Sequence, residues 1–532
     1  MNAPAHNQSN AAQRIVVVGA GLAGLTAAMH LNDAGFKVEI LEASSEPGGN
    51  AWLTTTGGMR QPTAGSCFRF PTPGGVVEDL LTRFKLSGKY HSTSTSMQVL
   101  FRTSALLRNL HEVIVSYLRQ PRWLLHPKVW GLTGNLLVAG LTGRPLLPAS
   151  KELGEPIFAD LYTFLDRLSP GKGRFPSVPW VPECGISRDE MMALDQMTIR
   201  QFFFDPEMTH HLPNDLQPPR RLGQLVRLAL TTTLEVEGLL LDNCSAYVGL
   251  YFLVGYLYGD LVALSGGNGA VSEALINHLR TQSAVNIQTE SKVDRIDHDG
   301  SAYRVEFTHA DQQETLSCQG VVVATPKHTA LGMFTELPEE QKAAIREIEY
   351  SDYAIANARL SDPVWTKYFG AYFIGDTPDA AAKAGFCKAG GVVNSTWEAF
   401  GDNQGIGGFS ILKPVAARKG QGQITSVNLS VLRNEAETEV RRILAAIGAN
   451  PDILEDVTLH VWPKGLVSPR PGQIARRVFE TASAPFGAIT FANQDSIGVG
   501  CLESAVESGA FAAHQIAHIL NQNSIPRCEV TK

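Results

Sequence analysis

The stretch IVVVGAGLAG, residues 15–24, decides the fold at the start of this 532-residue chain. Four consecutive apolar β-branched residues predict a buried strand, and a helical pattern from Leu22 to Ala34 follows after a short glycine turn. Gly35 ends that helix, and Lys37 to Leu41 forms a second strand pattern. A strand, a helix and a strand within about thirty residues predict a parallel βαβ unit.

The turn carries three glycines with the spacing of a dinucleotide-binding loop: Gly19, Gly21 and Gly24. In such a loop the first glycine permits the tight turn, the second lets a pyrophosphate approach the backbone, and the third lets helix and strand pack closely. The phosphates would lie on free N–H groups at the helix start, around Leu22 and Ala23. Glu42 follows the second strand, where a carboxylate accepts hydrogen bonds from ribose hydroxyls. The pattern therefore predicts a dinucleotide site.

Length and composition exclude several classes of protein. The chain is longer than the roughly 250–300 residues at which a single core stops growing, so two domains or more are expected. A formal net charge of −7, without a basic stripe, argues against a nucleic-acid partner. The seven cysteines form no CxxC pair, which argues against a disulfide framework and a structural zinc site. Prolines bracket His210-His211, so these histidines are not expected to bind a metal.

The first thirteen residues contain no basic segment followed by an apolar segment, so they are interpreted as a loose tail and not a signal peptide. Residues 523–532 are assigned as a second flexible tail. The scattered cysteines favour a reducing compartment, and we expect a cytoplasmic protein. Arg119 to Pro145 mixes basic residues and tryptophans with an apolar patch, so peripheral membrane contact is left open beside an ordinary exposed helix pair.

The order of patterns along the chain predicts an α/β fold, α+β overall, with two discontinuous domains. Residues 14–80, 265–345 and 455–522 are assigned to a Rossmann-type domain with a parallel sheet. Residues 81–264 and 346–454 are assigned to a largely helical substrate domain with a second sheet. Within the second of these, Tyr247 to Leu264 is interpreted as a buried helix, because three glycines and Asp260 argue against a membrane span.

Strand patterns return in the second half of the chain. Three of them predict a meander: Val285–Gln288, Ser291–Ile296 and Tyr303–Phe307. Three more suggest a further sheet: Ile355–Leu360, Ala371–Ile374 and Gln423–Leu429. Val321 to Ala324 is a buried strand pattern stopped by Pro326, and Ala488 to Ala492 is a strand pattern that feeds a glycine turn and a helix from Leu502 to Leu520.

Beyond the second strand, Glu42-Ala43 is followed by Gly48-Gly49. Here the chain resembles the flavin-containing amine oxidase and phytoene desaturase superfamily, whose opening pattern is GxGxxG, an acidic residue and a GGR-type turn. The resemblance implies an FAD cofactor, expected to be non-covalent, with Gly48-Gly49 against the pyrophosphate and the flavin edge. Asn50 stands where the family often has arginine, and Glu46 where an arginine is common.

Later segments fit the same resemblance. It implies that Val293 bonds the adenine through its backbone and that Val321 to Pro326, which includes Ala324, closes the nucleotide domain. Residues 487–513 resemble the closing flavin motif, in which Asp495 would reach the ribityl phosphate region. N–H groups around Gly500, Cys501 and Leu502 would donate to the pyrimidine edge of the flavin and stabilise negative charge on the reduced ring.

Two departures from the family bear on chemistry. Ile355 aligns with a lysine that holds water near the flavin N5 in monoamine and polyamine oxidases, and Cys501 aligns with a tyrosine of their amine cage. Both are therefore candidate pocket residues, with Cys501 either a reactive thiol or a small packed side chain. Tyr256 lies in an aromatic run that either lines a pocket or belongs to the core.

The resemblance implies a two-electron oxidoreductase that takes a hydride from a C–N or activated C–C bond of a small, largely apolar molecule. The dehydrogenase, oxidase and desaturase types stay open, and the electron acceptor is dioxygen or another carrier. Two alternatives remain beside a carotenoid- or terpenoid-type desaturase. They are a non-redox double-bond isomerase and a structural or assembly protein that binds FAD. A homodimer is also left open.

Overall fold

The computed structural model describes residues 13–94, 96–120, 122, 130, 138, 141, 151–220, 222–374, 390–401, 405–415 and 429–523. Most of four predicted segments lies outside the described residues: the tails 1–13 and 523–532, the strand Gln423–Leu429 and the membrane-contact stretch Arg119–Pro145. At Leu429 itself the structure begins a helix, so the predicted strand does not extend to that residue.

The described residues form nineteen strands in five sheets. In chain order they are β1 (Arg14–Val18), β2 (Lys37–Leu41), β3 (Leu53–Thr56), β4 (Met59–Pro62), β5 (Phe68–Arg69), β6 (His91–Ser92), β7 (Met97–Phe101), β8 (Leu261–Ala263), β9 (Val285–Gln288), β10 (Ser291–His298), β11 (Tyr303–His309), β12 (Gln312–Cys318), β13 (Gly320–Val323), β14 (Tyr350–Leu360), β15 (Gly370–Ile374), β16 (Gly391–Asn394), β17 (Gly407–Val415), β18 (Leu454–Val467) and β19 (Ile489–Phe491).

The same residues form sixteen α-helices. In chain order they are α1 (Leu22–Asp33), α2 (Val76–Arg83), α3 (Thr103–Arg108), α4 (Leu110–Arg119), α5 (Lys151–Arg167), α6 (Arg188–Asp195), α7 (Ile199–Phe204), α8 (Pro206–Thr209), α9 (Gln224–Val236), α10 (Ala246–Tyr258), α11 (Gly269–Arg280), α12 (Lys327–Ala330), α13 (Glu339–Glu347), α14 (Leu429–Ala446), α15 (Val478–Ala482) and α16 (Leu502–Asn523).

A five-stranded parallel sheet organises the nucleotide-binding part, in the order β19-β13-β1-β2-β9. The central strand β1 is apolar on both faces, and Ile15, Val16 and Val17 have no exposed surface. Burial on both faces is typical of a parallel sheet covered by helices. The helix α1 leaves this sheet through the glycine turn and packs against α11 and α16. The predicted βαβ unit is therefore present.

The predicted meander is present in altered form. β10, β11 and β12 pair in sequence as an antiparallel three-stranded sheet, and β12 was not predicted. The strand β9 does not join them, because it pairs in parallel with β2 at the edge of the nucleotide-binding sheet. Glu290, between β9 and β10, has a φ of +53°, and the chain changes sheets at this point. Five of the seven residues of β12 are exposed, four of them in succession, so it lacks the alternation of apolar and polar residues that marks a strand.

The second large sheet has six strands in the order β18-β14-β17-β16-β15-β7. Side chains of β14 alternate between its faces: Ala354 and Ala356 pack in one cluster with α14, while Tyr353 and Ile355 pack in another cluster on the opposite face. The strand β18 pairs with β14 along almost its whole length. Residues 454–467 therefore belong to this sheet, although residues 455–522 were assigned to the nucleotide-binding domain.

The helix α10 is apolar on all sides, and its residues from Ala246 to Gly255 are buried. It ends at Tyr258, short of the predicted Leu264, because the chain extends at Gly259 and enters the strand β8. Of the helices in the described part of the chain, none has the length and hydropathy needed to cross a membrane.

Candidate active site

The glycine turn between β1 and α1 shows why its three glycines are needed. Gly19 has a φ of +99°, which other residues rarely adopt. A Cβ on Gly24 would lie 2.0 Å from the carbonyl oxygen of Gly19, so only glycine lets the helix start this close to the strand. The first and third glycines therefore have the backbone roles that the fingerprint predicts.

Gly21 is different, because a Cβ added there would meet no atom within 4 Å. Its backbone faces an open cavity and also pairs with Gly48 through an isolated parallel bridge. Gly48 and Gly49 have φ values of +128° and +57°, and a Cβ on Gly49 would lie 3.0 Å from the Cα of Gly21. The two glycine turns thus lie against each other and leave bare backbone in front of the cavity.

Glu42 lies at the end of β2 and lines the same cavity. Its Oε2 accepts a hydrogen bond of 2.7 Å from the N–H of Ala20, and its Oε1 accepts one of 2.9 Å from the N–H of Ser44. These bonds hold the carboxylate beside the glycine turn. A carboxylate in this position suits the two hydroxyls of a ribose and repels a phosphate.

A single cavity of about 580 Å³ extends from the glycine turns to the face of the six-stranded sheet. Its volume lies within the range of pockets that hold small ligands. Many of the predicted site residues line it: Gly19, Gly21, Leu22, Ala23, Glu42, Gly49, Asn50, Tyr256, Ala324, Gly500, Cys501 and Leu502. The remaining predicted residues do not line it: Gly24, Ala43, Gly48, Val293, Ile355 and Asp495.

Three distant segments meet at one carbonyl group beside the cavity. The Asn50 side-chain amide donates to the carbonyl oxygen of Gly465 over 2.8 Å, and the Gln494 side-chain amide donates to the same oxygen over 2.7 Å. Asn493 donates from Nδ2 to the carbonyl oxygen of Ala324 over 3.2 Å. Since Asn50, Asn493 and Gln494 all line the cavity, these bonds connect the first glycine-rich turns, β18 and the C-terminal motif around it.

The end of the cavity remote from the glycine turns is here called the substrate chamber. Helices α9 and α10 form one side of it and strands β14–β17 the other. It is lined by Val236, Glu237, Leu253, Tyr256, Tyr353, Tyr372, Val392 and Leu412. Burial raises the pKa of the hydroxyls of Tyr256, Tyr353 and Tyr372 well above the usual range, and the neighbouring Glu237 raises it further. These tyrosines are therefore neutral donors at ordinary pH.

Asp495, which was predicted to reach the ribityl phosphate region, does not line the cavity. Its side chain is completely buried and accepts bonds of 2.7 Å from Lys327 Nζ and from the Tyr350 hydroxyl, and one of 2.8 Å from the Lys327 N–H. A buried carboxylate needs such partners, because an unpaired charge away from water is costly. The cavity is reached instead by Asn493 and Gln494, one and two residues earlier.

Ile355 and Val293 also lie away from the cavity. Ile355 has no exposed surface and packs in a cluster with Tyr353 and Leu412, both of which do line the chamber. Ile355 therefore lies on the same face of β14 as Tyr353, and the strand contacts the chamber two residues before Ile355. Val293 is buried in β10 opposite Phe307 and does not line the cavity, so the structure shows no contact of its backbone with this site.

Cys501 lines the cavity and also caps α16. Its Sγ accepts from the N–H of Ser504 over 3.4 Å, while its own N–H donates to the Ser504 hydroxyl over 3.3 Å. The Cys501 N–H is thus already engaged, contrary to its predicted role as a free donor. Burial raises the pKa of the thiol, which disfavours the nucleophilic thiolate and favours the packing interpretation.

The cavity residues fit an FAD molecule in their polar chemistry. Three buried oxygens on its lining residues have no hydrogen-bond partner within the described part of the chain: Asn268 Oδ1, Thr325 Oγ1 and Asn493 Oδ1. Buried polar atoms without partners are rare, so these acceptors and hydroxyls indicate a polar ligand. Glu42 would hold the ribose, and the bare backbone at Gly21 and Gly49 the pyrophosphate. When bound, FAD supplies hydride chemistry.

Comparison with known families agrees with this geometry. The sequence profile described as flavin-containing amine oxidoreductase matches residues 22–517. The chain belongs to this family, and it is an FAD-dependent oxidoreductase. Its mixed α/β fold also agrees, since the chain is similar to the solved cyclohexylamine oxidase from Brevibacterium oxydans with a TM-score of 0.61. That likeness covers 96% of this chain and 99% of the other at 16% identity, and so concerns the fold alone.

Two curated relatives show the range of the similarity. The chain is 40% identical over 503 residues to oxidoreductase PigB from a Serratia species, covering 94% of this chain and 74% of PigB. It is 48% identical over 65 residues to a phytoene dehydrogenase from Streptomyces griseus, covering 12% of each chain. The first likeness spans both the nucleotide-binding and the substrate side, whereas the second is confined to a short stretch.

Several residues of the site had no clear signal in the sequence. Glu237 is one acidic residue in the run TLEVEGLL, and no motif marks it. Tyr353 and Tyr372 stand in strands whose pairing brings them to one wall, which a strand pattern does not reveal. Asn493 and Gln494 do lie inside the closing motif, and the polar run FANQDS could have indicated them. In the described residues there is no cluster of metal-ligating side chains.

Proposed function

We propose that this flavoenzyme removes a hydride from a C–N bond, or from an activated C–C bond, of a small and largely apolar molecule. The observation that carries the proposal is the continuity of the cavity. One end has the glycine turns and Glu42, and the other end is the substrate chamber. A substrate in the chamber would therefore lie next to whatever part of the cofactor extends from the glycine turns.

The lining of the chamber suits hydride transfer. Its walls are mainly apolar, with Leu253, Val392 and Leu412 among the contacts, and the neutral tyrosines add hydroxyl groups without charge. Hydride transfer requires a C–H bond held over the flavin ring and the exclusion of water. A shaped apolar chamber meets both needs. The side chains of the chamber would orient the substrate, and bound FAD would supply the two-electron chemistry.

The names of similar proteins support two types of bond as the target of oxidation. One similar structure is titled a cyclohexylamine oxidase, and short stretches match L-amino-acid oxidases and a phytoene dehydrogenase. These names cover oxidation of C–N bonds and dehydrogenation, so they support both classes for this chain. Dioxygen or a separate electron carrier would reoxidise the flavin. We also propose a cytoplasmic location with peripheral membrane contact.

The test is anaerobic reduction of the purified yellow protein by candidate substrates. Alkylamines, cyclohexylamine, amino acids and a short polyene are each added without oxygen, and the flavin absorbance is recorded. Bleaching by one class, followed by turnover with an acceptor, supports the proposal. Conversion of substrate without any acceptor would indicate an isomerase. Bound flavin with no response to any compound would favour a structural role for FAD.

A further inference from the structure

Glu237 is held at a defined place in the chamber. It follows the last residue of α9, and its N–H bonds to the carbonyl oxygen of Leu234 over 3.0 Å. The next residue, Gly238, has a φ of +73°, and its carbonyl oxygen accepts a hydrogen bond from the Ser351 hydroxyl on β14. The carboxylate is therefore anchored between a helix end and the six-stranded sheet, with its side chain among the residues that line the cavity.

The charged side chains among the described residues that line the cavity are all acidic. Among the described residues that line it, three carry a carboxyl group, Glu42, Glu237 and Asp260, and none carries a cationic side chain. Glu42 lies at the glycine turns and Asp260 is exposed, so Glu237 is the acid within the chamber. A half-buried carboxylate in a cavity whose described lining has no cationic side chain creates a site for a positive charge that the ligand brings.

Among the described residues, Arg69 is a cation whose charge reaches Glu237, and its side chain is engaged elsewhere. Arg69 does not line the cavity; its Nη2 donates to the carbonyl oxygen of Tyr251 over 3.1 Å, and its guanidinium lies 3.8 Å from the centre of the Tyr251 ring. Its N–H donates to Glu503 over 2.5 Å. Arg69 thus weakens the field of Glu237 only from outside the chamber, and Glu503 opposes it.

Among the described residues, several ionisable groups surround the Glu237 carboxyl group. Burial raises the pKa of the Glu237 carboxyl to about 7, a hydrogen bond from the Tyr256 hydroxyl lowers it, Glu503 raises it and Arg69 lowers it. The neutral titratable neighbours are Cys67, Tyr256, Tyr353 and Tyr372. At neutral pH the carboxyl group is therefore present in both its charged and its neutral form, as a proton acceptor requires.

We propose that Glu237 binds the protonated nitrogen of an otherwise apolar amine and accepts its proton, with Tyr256, Tyr353 and Tyr372 as the walls around that nitrogen. Aromatic faces attract a cation, and a carboxylate supplies the charge-assisted hydrogen bond. The inference rests on the proposed function and narrows it to C–N oxidation. It also excludes substrates with a carboxylate, such as amino acids, because Glu237 would repel that group and no described residue that lines the cavity carries a cation to pair with it.

The step balances in protons and electrons. The N–H bond of the ammonium breaks, its electron pair stays on nitrogen, and the proton moves to the Glu237 carboxylate. The adjacent C–H bond then breaks with its electron pair, and the hydride passes to the flavin. The nitrogen lone pair forms the C=N bond of an iminium product. The reduced flavin returns its two electrons to dioxygen or to an electron carrier.

The first experiment measures binding and not turnover. Pentyltrimethylammonium keeps its charge at every pH, so its titration into the holoprotein, followed by calorimetry and flavin absorbance, reports the charge on Glu237. We expect affinity to rise between about pH 6 and about pH 8, because the carboxyl ionises as pH increases. In Glu237→Gln we expect about 10- to 100-fold weaker binding that no longer depends on pH. Equal affinity and pH dependence in this variant would overturn the proposal.

Matched variants and ligands complete the test. Glu235→Gln changes an acid two residues away that does not line the cavity, and it should bind the probe like the wild type. Tyr256→Phe removes the bond that lowers the Glu237 pKa, so the midpoint of the pH dependence should move upward; an unmoved midpoint contradicts the assignment. Pentylamine should bind and norleucine, which adds a carboxylate, should not. If pentyltrimethylammonium binds as expected but neither an amine nor a polyene bleaches the flavin, the proposed function fails while the cation site stands.

Discussion

At the scale of single residues, Gly21 and Gly24 are required for opposite reasons. At Gly24 a side chain would collide with the Gly19 carbonyl, so the need is internal packing. At Gly21 a side chain would meet only the cavity, so the need is room for a ligand. Glycine is therefore required at the two positions for different physical reasons, and substitutions at Gly21 and at Gly24 should distinguish ligand exclusion from disrupted packing.

We expect Gly21→Val to fold normally and to lose FAD. The valine side chain would occupy the space in front of the bare backbone, where a pyrophosphate must approach the N–H groups. Purified variant should be colourless, with flavin occupancy reduced about tenfold or more while its thermal unfolding without added flavin matches that of stripped wild type. Absorbance at the flavin bands and calorimetric unfolding provide the two measurements.

A matched control distinguishes ligand exclusion from damage to the fold. Gly332 is exposed, and a Cβ there would also meet no atom within 4 Å, but it lies away from the cavity. Gly332→Val should retain its full flavin content. Normal flavin occupancy in Gly21→Val would contradict the assignment of the pyrophosphate site.

Cys501 and Cys67 both line the cavity, and burial raises the pKa of both thiols. Attachment of a flavin through sulfur requires a nucleophilic thiolate, which these environments disfavour. We therefore expect non-covalent FAD. Precipitation of the protein with trichloroacetic acid should leave all of the flavin in the supernatant, both in the wild type and in Cys501→Ser. A yellow pellet from the wild type that turns white in Cys501→Ser would show a covalent bond to this residue.

At the scale of elements, the buried pair of Lys327 and Asp495 joins the start of α12 to the turn before α16. Both side chains are almost completely excluded from solvent, and Nζ of Lys327 also donates to the Ser496 hydroxyl over 2.8 Å. Burial lowers the pKa of Lys327, and Asp495 partly restores it. This pair positions the segment that carries Asn493 and Gln494 into the cavity.

We expect Lys327→Met to lower the free energy of unfolding by about 3–5 kcal/mol, because it leaves the Asp495 carboxylate buried without its cation. The double variant Lys327→Met/Asp495→Leu should recover a large part of this loss, since no unpaired charge remains. Urea unfolding measures both changes. The exposed pair of Lys172 and Asp166 is the control, and Lys172→Met should cost about 0–1 kcal/mol. A similar cost for the single and double variants would refute the charge explanation.

At the scale of the whole molecule, α4 carries an apolar stripe on its outer side. Leu110, Ile114 and Leu118 recur every four residues and are 40%, 51% and 61% exposed. Arg119 ends the helix, and Arg108 precedes it. Apolar side chains flanked by basic residues suit contact with an anionic lipid surface. The stripe leads into the stretch Arg119–Pro145, for which the sequence left peripheral membrane contact open beside an ordinary exposed helix pair.

We predict that the protein floats with vesicles of phosphatidylcholine and phosphatidylglycerol, and that Ile114→Glu/Leu118→Glu binds them about tenfold less tightly or worse. The expected loss follows from removing two apolar side chains and adding two negative charges at the contact. Val431→Glu changes an equally exposed valine on α14 and should leave binding unchanged. Absence of wild-type flotation at low salt would refute membrane contact through this face.

Prediction from the sequence succeeded where the information is local. The glycine turn, α1, β2 and the strands β9, β13 and β19 were all indicated by patterns of a few residues, because hydrophobic period and turn chemistry act within one element. The pairing of β9 with β2 and of β18 with β14 was missed. These strand pairings depend on which strand edges meet in space, and the periodicity of the sequence contains no information on them.

By itself the sequence predicted a dinucleotide site, because the glycine loop and the acidic strand end lie within one βαβ unit, and its resemblance to the amine oxidase superfamily indicated the flavin class. Only the tertiary structure decided which side chains contact the ligand. It turned Asp495 inward to pair with Lys327 and directed Asn493 and Gln494 into the cavity. It also brought Glu237 from a helix end to the tyrosines of two strands and of α10. The pKa and the partners of a carboxyl group depend on its burial and on its neighbours, which are set only after distant segments have packed together.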